Sequence, residues 1–441
     1  MSMRFVLLIL YNLVIGIGLC IAQKVVYVDG NALGLNNGTS WQNAFIDLND
    51  ALNNSAYGDQ VWVAEGKYLP DPTGSNRNKR FELPQGVKLY GSFLGNETSI
   101  HQRPIFIDPL TVLSGNIGNS IDSTDNSYTV LYLNYPDTTT LVDGFEISHG
   151  YASSDTSFTG GTPILNGGGV FIEGKAGYAY ATFVNCLIKD NFAKRNGGGV
   201  FIKNQSSLGN TPLFSYCKLM NNKCDGNGGA ISWAGGSQWD RGIEFDHCIF
   251  IGNRAKGQSG VLFSSKNIGE DTIEFIGCNF EKNVGEVVST VIGFDPNNIS
   301  LNIAIESCNF KNNFRLQGNS AASLCTTIGF SIGDLGNVTI SNNYFIGNFL
   351  SPGGGSLFDI GATNEYVGKL LFSNNNIDGD NCCDINLGGK LFTFSGNVVR
   401  NSISPSMAIS IYSYTPKGNV IKNNYLECHQ INGRGPSTII F

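Results

Sequence analysis

The sequence predicts an all-β chain wound as a right-handed parallel β-helix. Three observations carry that expectation. A Cys-to-Asn beat recurs at 30- or 31-residue intervals, from Cys186 to Asn191, Cys217 to Asn222, Cys248 to Asn253, Cys278 to Asn283 and Cys308 to Asn313. A fixed period of this size is the footprint of a solenoid. Three residues before each Asn stands an apolar side chain (Ile188, Leu219, Phe250, Phe280, Phe310), two positions after the Cys. The two therefore share one face of a short strand, where side chains alternate with period two. About six residues after the Asn comes a glycine corner, Gly197-Gly198-Gly199, Gly228-Gly229 or Gly260, followed by an aliphatic, Val200, Ile231 or Leu262. Strands this short bury no core alone, but stacking each on its counterpart in the next repeat makes parallel sheets around a continuous interior. Helical alternatives fail because no long window has a 3.6-residue period.

The chain opens with Arg4, an apolar stretch from Phe5 to Leu19 and the small-residue site Cys20-Ile21-Ala22, the pattern of a signal peptide over residues 1–22 cleaved before Gln23. Residues 23–66 should form a first strand, Val25–Val28, and a capping helix. Thr39 to Gln42 fits a capping box, and Ala44, Phe45, Leu48, Ala51 and Leu52 fall at helical spacing. Such a helix would cover the open end of the tube, an unpaired sheet edge prone to aggregation if bare. Residues 67–150 read as irregular first rungs, with strands near Val87–Tyr90, Val112–Leu113, Thr129–Leu133 and Gly144–Ile147; Gln60–Val63 precedes them. Loops at 70–80, 114–127 and 151–166 are rich in Pro, Gly, Asn, Ser and Asp, and excursions from a rigid scaffold are where function concentrates. Residues 151–441 hold the regular repeats of about 30 residues. In the later copies Asn takes the Cys place, from Asn343 to Asn348 and from Asn376 to Asn381, so the repeat concerns shape before sulfur. Beyond 381 the offset persists, from Asn397 to Ser402 and from Asn424 to His429, at shorter spacing.

Phe-x-x-Asn at 250–253, 280–283, 310–313 and 345–348, with Gly-Gly-Ala-Ile at 228–231, resembles the repeat of the polymorphic outer membrane protein family, which are β-helical surface passengers. Val26-Tyr-Val-Asp29, Gly38-Thr-Ser-Trp41, Gly58-Asp-Gln-Val-Trp-Val-Ala64 and Gly66-Lys-Tyr68 resemble the opening of secreted bacterial β-helix proteins of the pectin-lyase-like class. Together the resemblances cover nearly the whole mature chain. They imply the fold strongly and an activity weakly, because this fold hosts lyases, hydrolases, adhesins and fibres. No membrane barrel follows the repeats, which departs from the outer-membrane family.

The stacked thiols read as small buried apolar side chains: neighbours at the strand spacing lie too far apart for a relaxed disulfide and in a line no tetrahedral metal would choose. Cys224, Cys325, Cys382, Cys383 and Cys428 lie outside that column. The Asn column suits a strand-to-strand corner, where amides satisfy turn backbone and bond to the rungs above and below. Asp246-His247-Cys248 resembles a stretch of the pectate lyases, which implies Asp246, His247 and Arg254 as catalytic candidates. His149 resembles the turn histidine of polygalacturonases without their aspartates. Asp378, Asp380 and Asn381, and separately Asp122, Asp125 and Asn126, offer hard oxygen ligands, so calcium is the one ion to consider where no cofactor is otherwise expected. Trp233 shares the parity of Ile231 and belongs inside; Trp239 and Tyr178 are free to meet sugar rings.

Charged residues make up 14% of the chain and the formal net charge is −7, with no local cluster of Lys and Arg, which argues against nucleic acid or an anionic polysaccharide as the default partner. The expectation is a secreted or cell-surface, adhesin-like or structural binding rod without catalysis, contacting extracellular glycans or proteins, with no membrane span in the mature chain. The alternative is a polysaccharide lyase or glycoside hydrolase.

Overall fold

The computed structural model describes residues 23–105, 108–155, 161–174, 180–204, 212–234, 242–265, 272–287, 289–294, 301–314, 326–330, 335–348, 356–360, 368–378, 384–389, 391–400, 408–413, 418–426 and 430–434. Every strand pairs in parallel with its counterpart one rung on, giving long sheets of 13, 12 and 12 strands and a short sheet of five. One full rung runs Ile231–Ala234 in the third long sheet, Ile243–Asp246 in the first, Ile249–Ile251 in the second, then Arg254–Ala255 in the short sheet before Leu262–Ser264 returns to the third. The chain is a parallel β-helix. No helix among the described residues is long and apolar enough to cross a membrane.

Inward columns build one continuous core. Phe183, Phe214, Phe245 and Phe275 stack along the first sheet, with centroids 4.6–5.4 Å apart and planes within 18°. Phe250, Phe280, Phe310 and Phe345 do the same along the second, at 4.4–5.1 Å and within 11°. Each such pair is worth about 0.5–1.5 kcal/mol beyond the area it buries. Trp233 is fully buried, as its parity requires.

Two corners in each rung set the register. At the first, between the first and second sheets, one residue adopts left-handed backbone, as in Asn185, Tyr216, His247, Gly277 and Ser307. The Cys of the beat follows directly. Cys186, Cys217, Cys248, Cys278 and Cys308 are free and buried. Each donates its S–H to a strand carbonyl of the preceding rung, such as Phe214 O from Cys248 at 3.2 Å. Burial pushes Cys186, Cys217 and Cys248 well above the ordinary thiol range. At the second corner Asn191, Asn222, Asn253, Asn283, Asn313 and Asn348 form a buried amide ladder. Asn253 Nδ2, for example, donates to Leu219 O at 2.8 Å and to Asn283 Oδ1 at 3.0 Å, while Asn253 N–H donates to that same Oδ1 at 3.1 Å.

Further along, a second ladder occupies the first corner, where Cys had been. Asn343, Asn375, Asn397 and Asn424 bond in sequence there, beginning with Cys308 N–H donating to Asn343 Oδ1 at 2.8 Å. The register thus puts Asn375 rather than Asn376 in the Cys place. Rungs here are 32, 22 and 27 residues long, so the period no longer fixes the place and the five-residue offset from Asn376 to Asn381 selects the neighbouring Asn. Asn376 instead opens a strand opposite Tyr344. Asn381 lies outside the described residues.

The N-terminal helix is shorter than its apolar spacing indicates, spanning Leu48–Asn53 with Asp47 as N-cap. Thr39 to Asn43 are used locally: Asn37 Oδ1 accepts from Thr39 N–H, and Asn43 O from Asn37 and Gly38 N–H. Phe45 then exchanges backbone bonds with Tyr27 and Asp29 of the first-strand segment, which no helical residue could do. Ala44, Leu48, Ala51 and Leu52 are nevertheless buried, and the helix packs on the Val25–Val28 and Gln60–Ala64 strands at the end of the core. The expected strand Val25–Val28 matches to the residue.

Candidate functional site: a basic and aromatic groove

The short sheet is built from five two-residue strands, Tyr151–Ala152, Phe192–Ala193, Lys223–Cys224, Arg254–Ala255 and Val284–Gly285. In each the second residue faces inward. Ala152, Ala193, Cys224 and Ala255 form a small core of their own. These side chains are small because the next corner presses close: a Cβ on Gly198 would lie 2.3 Å from Lys223 O, and one on Gly229 2.7 Å from the Arg254 backbone. Only glycine leaves room for that approach. Burial pushes the Cys224 thiol up to about 12, so the floor of this region holds no thiolate nucleophile.

The first residues stand in strict register, with Tyr151, Phe192, Lys223 and Arg254 reaching the surface and Val284, next in the column, buried. Each from Phe192 on follows an amide of the second-corner ladder, which fixes its height along the rod. The Tyr151 and Phe192 rings stack at 4.7 Å and 24° and are half-buried. Two residues further on, Lys194, Asp225, Lys256 and Glu286 make a parallel column. Asp225 lies 3.4 Å from Lys194 Nζ and 2.7 Å from Lys256 Nζ. Its hydrogen bond holds Lys256 above the ordinary lysine range. Glu286 Oε1 receives Arg254 Nε at 2.7 Å and Nη2 at 2.5 Å. Among the described residues Lys223 Nζ has no acidic partner, and the side chain is exposed. Tyr151, Phe192, Lys194, Lys223, Asp225, Arg254 and Lys256 line a groove of about 410 Å³, and Glu286 stands beside it on Arg254.

Four cations face two carboxylates here, a local positive excess in a chain of net charge −7. The expectation that no basic cluster exists is therefore wrong. Successive members lie 31 residues apart, so a linear scan sees single charges. The signal is present in the columns one and three residues after each ladder Asn. The first long sheet has the opposite sign: Glu244 and Glu274 are paired in register, and burial, then Glu244 and Glu306, push Glu274 above the usual carboxylate range.

Asp246 and His247 sit at the first corner, not in the groove. Asp246 Oδ1 is 2.6 Å from His247 Nδ1, and Oδ2 accepts from Ser215 Oγ at 2.9 Å. The His247 ring stacks on the exposed Tyr216 ring at 5.3 Å and lies over Gly277, 3.0 Å from where a Cβ would stand. Arg254 belongs to the groove, separated from that pair by the whole strand Ile249–Ile251 of the second sheet. Asp378 ends the strand Asn376–Asp378, its backbone in register with Ile346 and Arg400; Asp380 and Asn381 lie outside the described residues. Asp122 Oδ1 accepts from Thr124 N–H and Oγ1, Asp125 Oδ2 from Asn119 N–H, and Asn126 Nδ2 donates to His149 O. Among the described residues no group of three or more His, Cys, Asp or Glu side chains is placed to hold a metal ion. The signal segment, Trp239, Tyr178, Cys325, Cys382, Cys383 and Cys428 lie outside the described residues.

No protein-family model matches this chain. Nor does any curated protein match it. Among solved structures it is similar to the crystal structure of pectate lyase Pel9A, with 16% identity over 92% of this chain and 79% of that one, and a TM-score of 0.41. It is also similar to that of PfbA, a surface adhesin of Streptococcus pneumoniae, with 11% identity, 88% of each chain covered and a TM-score of 0.25.

Proposed function

We propose that this chain is an extracellular or cell-surface β-helical binding rod, without catalytic activity of its own, whose ligand is a glycan held over the short sheet. The observation that carries the reading is the outward Tyr151–Phe192 pair: two stacked rings on a rigid sheet, bordered by Lys223 and Arg254, offer an apolar platform with donors beside it. Rigid aromatics with a few polar groups fixed around them are how such surfaces gain orientation without ordering loops. Both carboxylates of the groove are engaged by cations, so neither stands ready as a general base. A glycan-array measurement on residues 23–441, followed by calorimetry on the best ligand, tests the reading. Binding that disappears in Phe192→Ala supports it, and no binding across the array overturns it.

The second reading, a polysaccharide lyase or hydrolase, draws on the close Asp246–His247 pair at the surface. Incubation with uronate polysaccharides and calcium, watching for new unsaturated or reducing ends, separates the two. Product that is lost in Asp246→Asn would establish the enzyme and remove the binding-rod proposal.

A further inference from the structure

We infer that the groove takes an anionic polysaccharide, one whose sugars carry carboxylate or sulfate groups, lying along the rod axis with its uncharged faces on Tyr151 and Phe192 and its acidic groups on Lys223 and Arg254. This rests on the glycan-binding reading above and adds the charge and direction of the ligand. The direction follows from register. Phe192, Lys223 and Arg254 occupy one column on three successive rungs, about 4.8 Å apart, a step close to the length of one pyranose unit. A chain following the column therefore meets an aromatic platform, then one cation per rung.

The charge follows from how the cations are balanced. Lys194 and Lys256 stand two rungs apart, about 9.6 Å by the strand spacing, and both lean on Asp225 between them. Arg254 is half-committed: Glu286 takes Nε and Nη2, and Nη1 has no partner among the described residues. Lys223 lies between these pairs with no acid of its own among the described residues. An anionic group beside Lys223 and Arg254 Nη1 would complete charge-assisted bonds that the protein leaves open. A neutral sugar would leave the excess uncompensated. A nucleic acid would carry its dense charge past the few rungs of the groove and meet a chain of net negative charge.

The test uses the mature chain and titration calorimetry at low salt with polygalacturonate, chondroitin sulfate, neutral dextran and xylan, and a single-stranded DNA oligonucleotide. The expected result is binding of at least one acidic glycan, weakened at least tenfold by Lys223→Glu and by 0.5 M NaCl, with neutral glycans at least tenfold weaker. Comparing polygalacturonate with chondroitin sulfate identifies carboxylate or sulfate as the preferred group. Circular dichroism spectra unchanged from the parent show that Lys223→Glu remains folded, and Lys223→Gln, expected to weaken binding less than Lys223→Glu, separates lost attraction from added repulsion. Neutral glycans binding as tightly as acidic ones, with Lys223→Glu without effect, overturn this inference and leave the glycan-binding reading standing. Failure of every glycan overturns both, and tighter binding of the oligonucleotide than of any glycan overturns the ligand class.

Discussion

Replacing Asn283 by aspartic acid changes two donors into an acceptor at a buried point of the second-corner ladder and alters almost nothing else. Asn283 is fully buried, and its Nδ2 donates to Phe250 O at 2.8 Å and to Asn313 Oδ1 at 3.0 Å, while its Oδ1 accepts from Asn253 N–H and Nδ2 at 3.1 and 3.0 Å. In Asn283→Asp the protonated side chain keeps the accepted bonds and one donated bond. One donated bond, to Phe250 O or to Asn313 Oδ1, is then lost, the latter oxygen still accepting Asn283 N–H at 3.0 Å, at about 1–3 kcal/mol. Ionisation would set a carboxylate against two oxygens with only uncharged partners, so the folded-state pKa must rise. The folded chain then holds a proton that the unfolded chain releases above about pH 3.9. Stability is full below that value and falls by about 1.36 kcal/mol per pH unit as pH rises, until the folded pKa is reached. Carried to pH 7 this adds about 4 kcal/mol, for a total loss of roughly 5–7 kcal/mol at pH 7 against about 1–3 at pH 4. Urea unfolding followed by far-ultraviolet circular dichroism at both pH values, with the parent alongside, measures the difference. A loss within about 1 kcal/mol at pH 7, or one independent of pH, would refute the claim that side-chain amides carry this corner.

Three further outcomes test other parts of the structure. Phe280→Ala should destabilise by about 3–5 kcal/mol in the same assay, since Phe280 stacks on Phe250 and Phe310 and meets Phe275 edge-on; Phe192→Ala, losing one half-buried stack, should cost no more than about 1.5 kcal/mol. Alkylation of the native chain near pH 8 should leave Cys186, Cys217, Cys248, Cys278 and Cys308 unlabelled in peptide mass spectra and label all five after unfolding. Asp71 is buried, which pushes its carboxyl up, but bonds from Asn76 N–H, Thr73 Oγ1, Lys79 Nζ and Ser75 N–H outweigh this and hold it well below the usual range. The stability it contributes is therefore present above about pH 3.9 and lost as pH falls through the folded value, and Asp71→Ala should open the 70–80 loop to trypsin at Arg77, Lys79 and Arg80 at neutral pH.

The rod was legible in the sequence because its cause is periodic and local. Ile188, Leu219, Phe250, Phe280 and Phe310 mark the inward face, and a ladder amide follows each by three residues, so one repeat read correctly gives the next. Where rung length varies the reading fails, as at Asn375 and Asn376. It also fails where backbone pairing overrides spacing, as at Phe45, whose helical position lost to hydrogen bonds with Tyr27 and Asp29. The groove was hidden for another reason. Lys194, Lys223, Arg254 and Lys256 become neighbours only through winding, and net charge averages them against the acidic first sheet. Asp246 and His247 were found together because they are adjacent in the chain, and Arg254 was grouped with them because sequence proximity says nothing about which side of a rung a residue faces.

The short sheet ends at Val284–Gly285, and the amide ladder passes from the second corner to the first soon afterwards. The cross-section is four-sided around the groove. From the Arg254 rung, six more strands of the second sheet follow, about 29 Å of rod at the strand spacing. The groove thus has an address along the axis. Anything fastened to the far end of the second sheet is held away from the groove by a spacer whose length could be changed in whole rungs.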